Sequence, residues 1–255
     1  MRFLPLKITA FLIAIVLLSS CSNKTEQFES EQISDYSNLA VGKYITYRID
    51  STVFPNFGRS TEIHSYQQKH VVDALVTDNL GRPAYRIYRY IRDSAGTTPW
   101  LTNGTYYITP INDQLEVVED NLRSIRLHIP MREGFSWKGN RFLSADPYGT
   151  LYNFSNDDNM NDWDFFYDNF ETSFTHRNQI YTDVWTLEIA DENYNVPIAD
   201  PNAYAARTRA IDRYAKNIGL VYREYDMWEY QPNPGQPGGP YKTGFGITMW
   251  MIDHN

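Results

Sequence analysis

The chain has 255 residues, a formal net charge of −8 and 15% aromatic residues, among them 6 Trp and 20 Tyr. So acidic a balance repels nucleic acid and anionic membrane surfaces, which argues against the nucleic-acid-binding classes. A single cysteine rules out an intrachain disulfide and any multi-cysteine metal site, so stability has to come from an ordinary core, which a chain of this length can build.

The chain opens with Arg2 and Lys7, an apolar run of eleven residues from Ile8 to Leu18, and the small residues Ser19 and Ser20. A membrane-spanning helix needs about 20 apolar residues, so this segment reads as a cleaved export signal rather than an anchor. The only cysteine follows at once. Leu18-Ser19-Ser20-Cys21 resembles the bacterial lipobox, the site cut by signal peptidase II. The resemblance implies a diacylglyceryl group on Cys21, cleavage before it, and acylation of the new amino terminus. Several acyl chains then anchor firmly, since each buried methylene contributes about 0.8 kcal/mol. By the family's sorting rule, Ser22 in place of Asp implies delivery to the outer membrane. Loss of Arg2 and Lys7 with the signal takes the net charge from −8 to −10.

Residues 21–38 are polar and acidic without apolar period and read as the lipidated N-terminus and a flexible tether. Fully extended at roughly 3.3 Å per residue, the part from Ser22 to Asn38 reaches about 55 Å. From residue 39 to 255 short runs of Tyr, Ile, Val, Thr and Trp alternate with Asn, Asp, Gly and Pro, the pattern of a single antiparallel β domain. Ile45, Tyr47 and Ile49 share one face of the first strand. Val71–Thr77, a turn at Asp78–Pro83 and Ala84–Asp93 predict a hairpin, and Thr105–Ile111 with Leu115–Glu119 a second. Ile125, Leu127 and Ile129 mark one face of a further strand, as Trp185, Leu187 and Ile189 do later.

Asp200 to Gly219 is rich in alanine and has helical propensity. Yet Tyr214-Ala215 followed by Gly219-Leu220-Val221 resembles the YAxxxGLV hairpin near the C-terminus of Gram-negative envelope lipoproteins of unknown function, whose opening strand resembles Gly42–Tyr47. The resemblance implies a strand from about Arg207 to Tyr214 after a brief helical turn. Gln231–Pro240 is a loop, and Phe245–Asp253 a last strand covered on both faces. The expected fold is mainly β: an antiparallel sandwich, or a curved, incompletely closed barrel with minor helix.

In Asn156–Asp168, Asp157, Asn159, Asn161 and Asp168 fall at positions one, three, five and twelve of a calcium loop. Asp162 stands where the tight turn requires Gly, so a solvated acidic loop is the simpler reading and any calcium binding is weak. Asp164, Asp168 and Glu171 lie beside aromatic residues that could stack on sugars, but no spacing selects an acid and a nucleophile. The five histidines, His64, His70, His128, His176 and His254, form no metal motif. Neither a G-x-S-x-G elbow nor a phosphate loop is present, because Pro240 and Tyr241 separate Gly239 from Lys242-Thr243. Arg86, Arg89 and Arg92, interleaved with tyrosines, read as a strand whose arginines pair with acids across the sheet. Asp50-Ser51-Thr52 and Asp93-Ser94-Ala95 resemble acceptor sites for O-linked glycans, at Ser51 and Ser94.

The expected function is a lipid-anchored, non-enzymatic outer-membrane protein that needs no cofactor. It touches the membrane through acyl chains on Cys21 and binds a ligand or partner through aromatic surface or an internal pocket. A scaffolding component that contacts only proteins, and a glycan hydrolase acting through carboxylates, are the alternatives.

Overall fold

The computed structural model describes residues 31–152, 155, 156 and 158–255. They form twelve strands: β1 (Tyr44–Val53), β2 (Glu62–Thr77), β3 (Pro83–Asp93), β4 (Leu101–Ile111), β5 (Gln114–Glu119), β6 (Leu122–His128), β7 (Ser136–Lys138), β8 (Asp164–His176), β9 (Gln179–Tyr194), β10 (Ala205–Ala215), β11 (Gly219–Gln231) and β12 (Tyr241–His254). All lie in one antiparallel sheet ordered β6-β5-β4-β3-β2-β1-β12-β11-β10-β9-β8-β7, curled into a barrel that is closed except at one seam. Of the two architectures the sequence allowed, the barrel is the one adopted.

Local chemistry sets the turns. Between β2 and β3 the Asp78 carboxylate accepts the N–H groups of Leu80 and Arg82, both at 2.9 Å, while Gly81 takes φ +76°. Asp120 and Asn121, at φ 51° and 65°, make the two-residue turn between β5 and β6, whose left-handed backbone suits Asp and Asn. Residues 205–215 form a strand despite their alanines. Ala210 faces Ala190 on one neighbour and Tyr225 on the other, so a small side chain fits beside a large one and packing overrides helical propensity. The preceding residues, 201–203, form a turn.

The seam lies between β6 and the β7–β8 pair. There the Ile125 N–H donates to the Gly139 carbonyl (2.7 Å) and the Trp137 indole N–H to the Ile125 carbonyl (2.9 Å). Gly139 is required at this spot, because a Cβ on it would lie 2.2 Å from the Phe165 ring.

One end of the barrel is stoppered by residues that the sequence reading assigned to the tether. The 3₁₀ turn Ile33–Tyr36 buries Ile33 and Tyr36 against Trp185, Leu187 and Tyr214. Tyr36 has no exposed surface. The Glu31 carboxylate accepts hydrogen bonds from the Tyr36 hydroxyl, the Trp185 indole (2.9 Å) and Lys216 (2.9 Å). Two large apolar residues and this carboxylate anchor dock the segment, so Glu31 to Tyr36, expected to be tether, pack on the folded body.

At this same end the β8–β9 hairpin outruns β10, whose last pair is Ala215 with Val184. With Asp183 at φ 52°, its tip folds over the outer face of β11 and β12. Tyr181 donates to the Met251 carbonyl (2.7 Å), Phe174 packs edge-on against Tyr222, and Arg177 covers Trp250 while bonding Asp50 (3.1 Å). This flap buries Tyr222 and Trp250, which would otherwise be solvent-facing aromatics.

Candidate functional site: a cavity in the barrel

Opposite the stoppered end the barrel is open, and a cavity of about 1150 Å³ runs inward from its mouth. This is slightly above the usual range for small-molecule sites, roughly 300 to 1000 Å³. Alternation along the strands builds its wall: Ile49, Ser51 and Val53 from β1 and Phe245, Ile247 and Met249 from β12. Tyr148 and Tyr152, from the loop before β8, pack on Phe245 at ring separations of 5.6 and 5.3 Å.

The lip carries a left-handed turn, Pro55–Gly58, in which Asn56 (φ 55°) and Phe57 (φ 57°) occupy backbone space that a phenylalanine rarely enters. Gly58 is pressed against β12, where a Cβ would meet the Lys242 carbonyl at 2.1 Å. The result holds Phe57 almost wholly in solvent, 87% exposed, with Leu151 nearby on the rim at 73%.

The floor is charged. Arg223 grips Asp212 with two hydrogen bonds of 2.7 and 2.8 Å, and Asp212 is completely buried. Arg89 bonds Glu119 (2.7 Å) and the exposed Asp120 (2.9 Å), while Arg223 also reaches toward Glu119 at 3.6 Å. Arg126 donates to the Tyr225 hydroxyl, and its nearest carboxylate, Asp212, is 3.7 Å away. Its Nε is buried and unpartnered. Arg126 projects here because of a β-bulge: Leu127 pairs with Leu115 and Ile125 with Glu116, leaving Arg126 as the extra residue.

His70 completes the floor. Its Nε2 lies 2.6 Å from the Gln68 side-chain amide oxygen and carries the proton, so Nδ1 accepts from the Tyr106 hydroxyl at 3.0 Å. Burial, reinforced by the positive charges of Arg89 and Arg223, pushes the His70 pKa down to about 3, leaving a neutral ring. Below the floor a pocket of about 90 Å³ lies under the stopper and shares His70, Glu119 and Arg223 with the cavity.

Cys21 and the lipobox residues Leu18, Ser19 and Ser20 lie outside the described residues, as does Asp157 of the acidic loop. Asn159, at φ 52°, precedes the 3₁₀ turn Met160–Asp162, which holds Asn161. Asp168 is an exposed bulge residue within β8, so the twelfth position of the supposed calcium loop sits on a strand. Among the described residues no group of three or more His, Cys, Asp or Glu converges as a metal site. Asp164 pairs with Lys138 (3.1 Å), and neither it, Asp168 nor Glu171 lines the barrel cavity. Ser51 is on the cavity wall, and Ser94 is in a turn where its carbonyl accepts from Arg48 (2.7 Å). Of the histidines, His64 bonds Glu62 on the surface, His128 bonds the Ile129 carbonyl, His176 belongs to the flap and packs on Trp250, and His254 lines the small pocket.

No family model matches the chain, and no curated protein matches it. Among solved structures it is similar to a crystal structure from Bacteroides fragilis NCTC 9343 described as a "putative exported protein with YmcC-like fold". That likeness has 10% identity and a TM-score of 0.42 over 86% of this chain and 98% of the other. So loose a superposition transfers no property of that protein to this one.

Proposed function

We propose that this is a non-enzymatic, lipid-anchored protein of the outer membrane that holds a small-molecule ligand inside its barrel. The observation that carries the reading is the open cavity. A chain with this many large apolar side chains could have filled its lumen, yet leaves about 1150 Å³ lined by aromatic and aliphatic walls with convergent polar groups at the base. The carboxylates nearest the floor, Glu119 and Asp212, are held by arginines, which suits a binding site better than a general acid or base. Anchoring rests on the lipobox resemblance at Leu18–Cys21, and outer-membrane delivery on Ser22.

Two measurements test this. Cys21→Ser should release the protein from the membrane fraction; retention refutes the anchor. Protein purified from native membranes should yield a stoichiometric small molecule by mass spectrometry, and Ser51→Trp, which fills the wall while keeping the circular dichroism spectrum, should lose it. If native protein carries none and captures none from cell extract, the ligand reading fails. The exposed Phe57 and Leu151 on the lip would then favour a protein partner docked at the mouth.

A further inference from the structure

The charge arithmetic of the cavity floor is uneven. Three guanidinium groups, Arg89, Arg126 and Arg223, meet two partly or fully buried carboxylates, Glu119 and Asp212, with Asp120 solvated at the edge. Arg89 and Arg223 are each paired through charged hydrogen bonds. Arg126 is not. Its side chain is 15% exposed, its hydrogen bond goes to a neutral phenol, and its buried Nε finds no partner. Asp212, at 3.7 Å, is already committed to both arms of Arg223. The Tyr225 ring lies 5.8 Å from the Arg126 guanidinium and offers only a weak substitute for a carboxylate. A guanidinium cannot shed its proton to relieve this, and its planar fork matches an oxyanion. From the floor to the mouth, the adjoining wall is apolar, built by Met249, Ile247 and Phe245.

We infer that the cavity takes an amphipathic anion, its carboxylate or phosphate headgroup received at Arg126 and its apolar body lying along the β12 wall toward the mouth. This rests on the ligand-cavity reading above and adds the chemical class. Neutral and cationic amphiphiles of the same length lack the group that Arg126 needs.

The test is calorimetry on the full-length protein in lipid nanodiscs, with empty nanodiscs as the blank and four eight-carbon probes: octanoate, octyl phosphate, octanol and octylammonium. At least one anion should bind ten-fold or more tightly than octanol, and octylammonium no tighter than octanol. The stronger of the two anions identifies the headgroup. Arg126→Gln should lower anion affinity at least ten-fold, to the level of octanol, and leave octanol binding unchanged; Arg126→Lys should keep a reduced preference. Equal binding of octanol and both anions, or an undiminished preference in folded Arg126→Gln, overturns the anion assignment while the ligand cavity stands. Failure of all four probes to bind wild-type protein overturns both. Should Arg126→Gln not fold, the four-probe comparison on wild-type protein decides alone.

Discussion

Tyr167 and His128 exchange two hydrogen bonds across the seam: the Tyr167 hydroxyl donates to the His128 carbonyl (2.8 Å) and accepts from the His128 N–H (3.0 Å). One phenol thereby satisfies both backbone groups of a residue on an end strand, the role a neighbouring strand would play in a closed barrel. Burial pushes the Tyr167 pKa up, so the hydroxyl stays a donor at all ordinary pH.

Tyr167→Phe removes both partners and leaves the His128 backbone groups unsatisfied, at about 1 to 3 kcal/mol each. The expected loss is about 2 to 6 kcal/mol in urea unfolding, read as a lower midpoint at unchanged slope. A loss below about 0.5 kcal/mol would show that packing alone, around Trp137 and Gly139, holds the seam.

His70 makes stability depend on pH in a defined window. Its folded pKa is lowered to about 3 from 6.5, so the unfolded chain takes up a proton that the folded one refuses. Its contribution is fully present above pH 6.5 and is lost progressively as pH falls toward 3. In that range the unfolding free energy should fall with a slope approaching one proton, and His70→Gln, which keeps a polar group beside Tyr106, should flatten it. Identical pH profiles for the two proteins would refute a neutral buried His70.

The stopper should respond to acid through Glu31. Burial acts to raise its pKa, but the hydrogen bonds from Tyr36, Lys216 and Trp185 outweigh it and leave the pKa below 4.5. The docking contribution is therefore present above pH 4.5 and lost as pH falls through the lowered folded value. Trp185 fluorescence should report release of the stopper on acidification, and Glu31→Gln should remove that transition while lowering docking at neutral pH. Retention of the full transition in Glu31→Gln would place its origin elsewhere.

Much of the fold is legible because the strands obey a period of two. Val71–Thr77 with Ala84–Asp93, and Thr105–Ile111 with Leu115–Glu119, are hairpins in the structure as in the pattern. The stopper escaped notice because Ile33 and Tyr36 are only two large residues in a polar stretch, and their burial depends on a surface assembled from distant strands. The floor was partly readable. Arg86 and Arg92 share one face and Arg89 the other, so alternation alone sends Arg89 inward, whereas counting outward from the Asn217 turn sets Asp212 opposite Tyr222, and only the register shift between Arg213 and Tyr214 brings it opposite Arg223. Arg126 had no such signal. Alternation from Ile125 and Leu127 sends it to the outer face, and only the bulge in β6, invisible in the residue pattern, turns it toward the lumen.

The stopper also fixes a direction. It enters beside the start of β1, whereas the mouth lies beyond that strand's end, ten residues or about 33 Å away at roughly 3.3 Å per residue. The barrel is thus a cup standing on its own base. The proposed attachment through the N-terminus would pull on the foot and leave the brim clear, so the proposed cargo would be loaded or surrendered on the free side without the body letting go of its support.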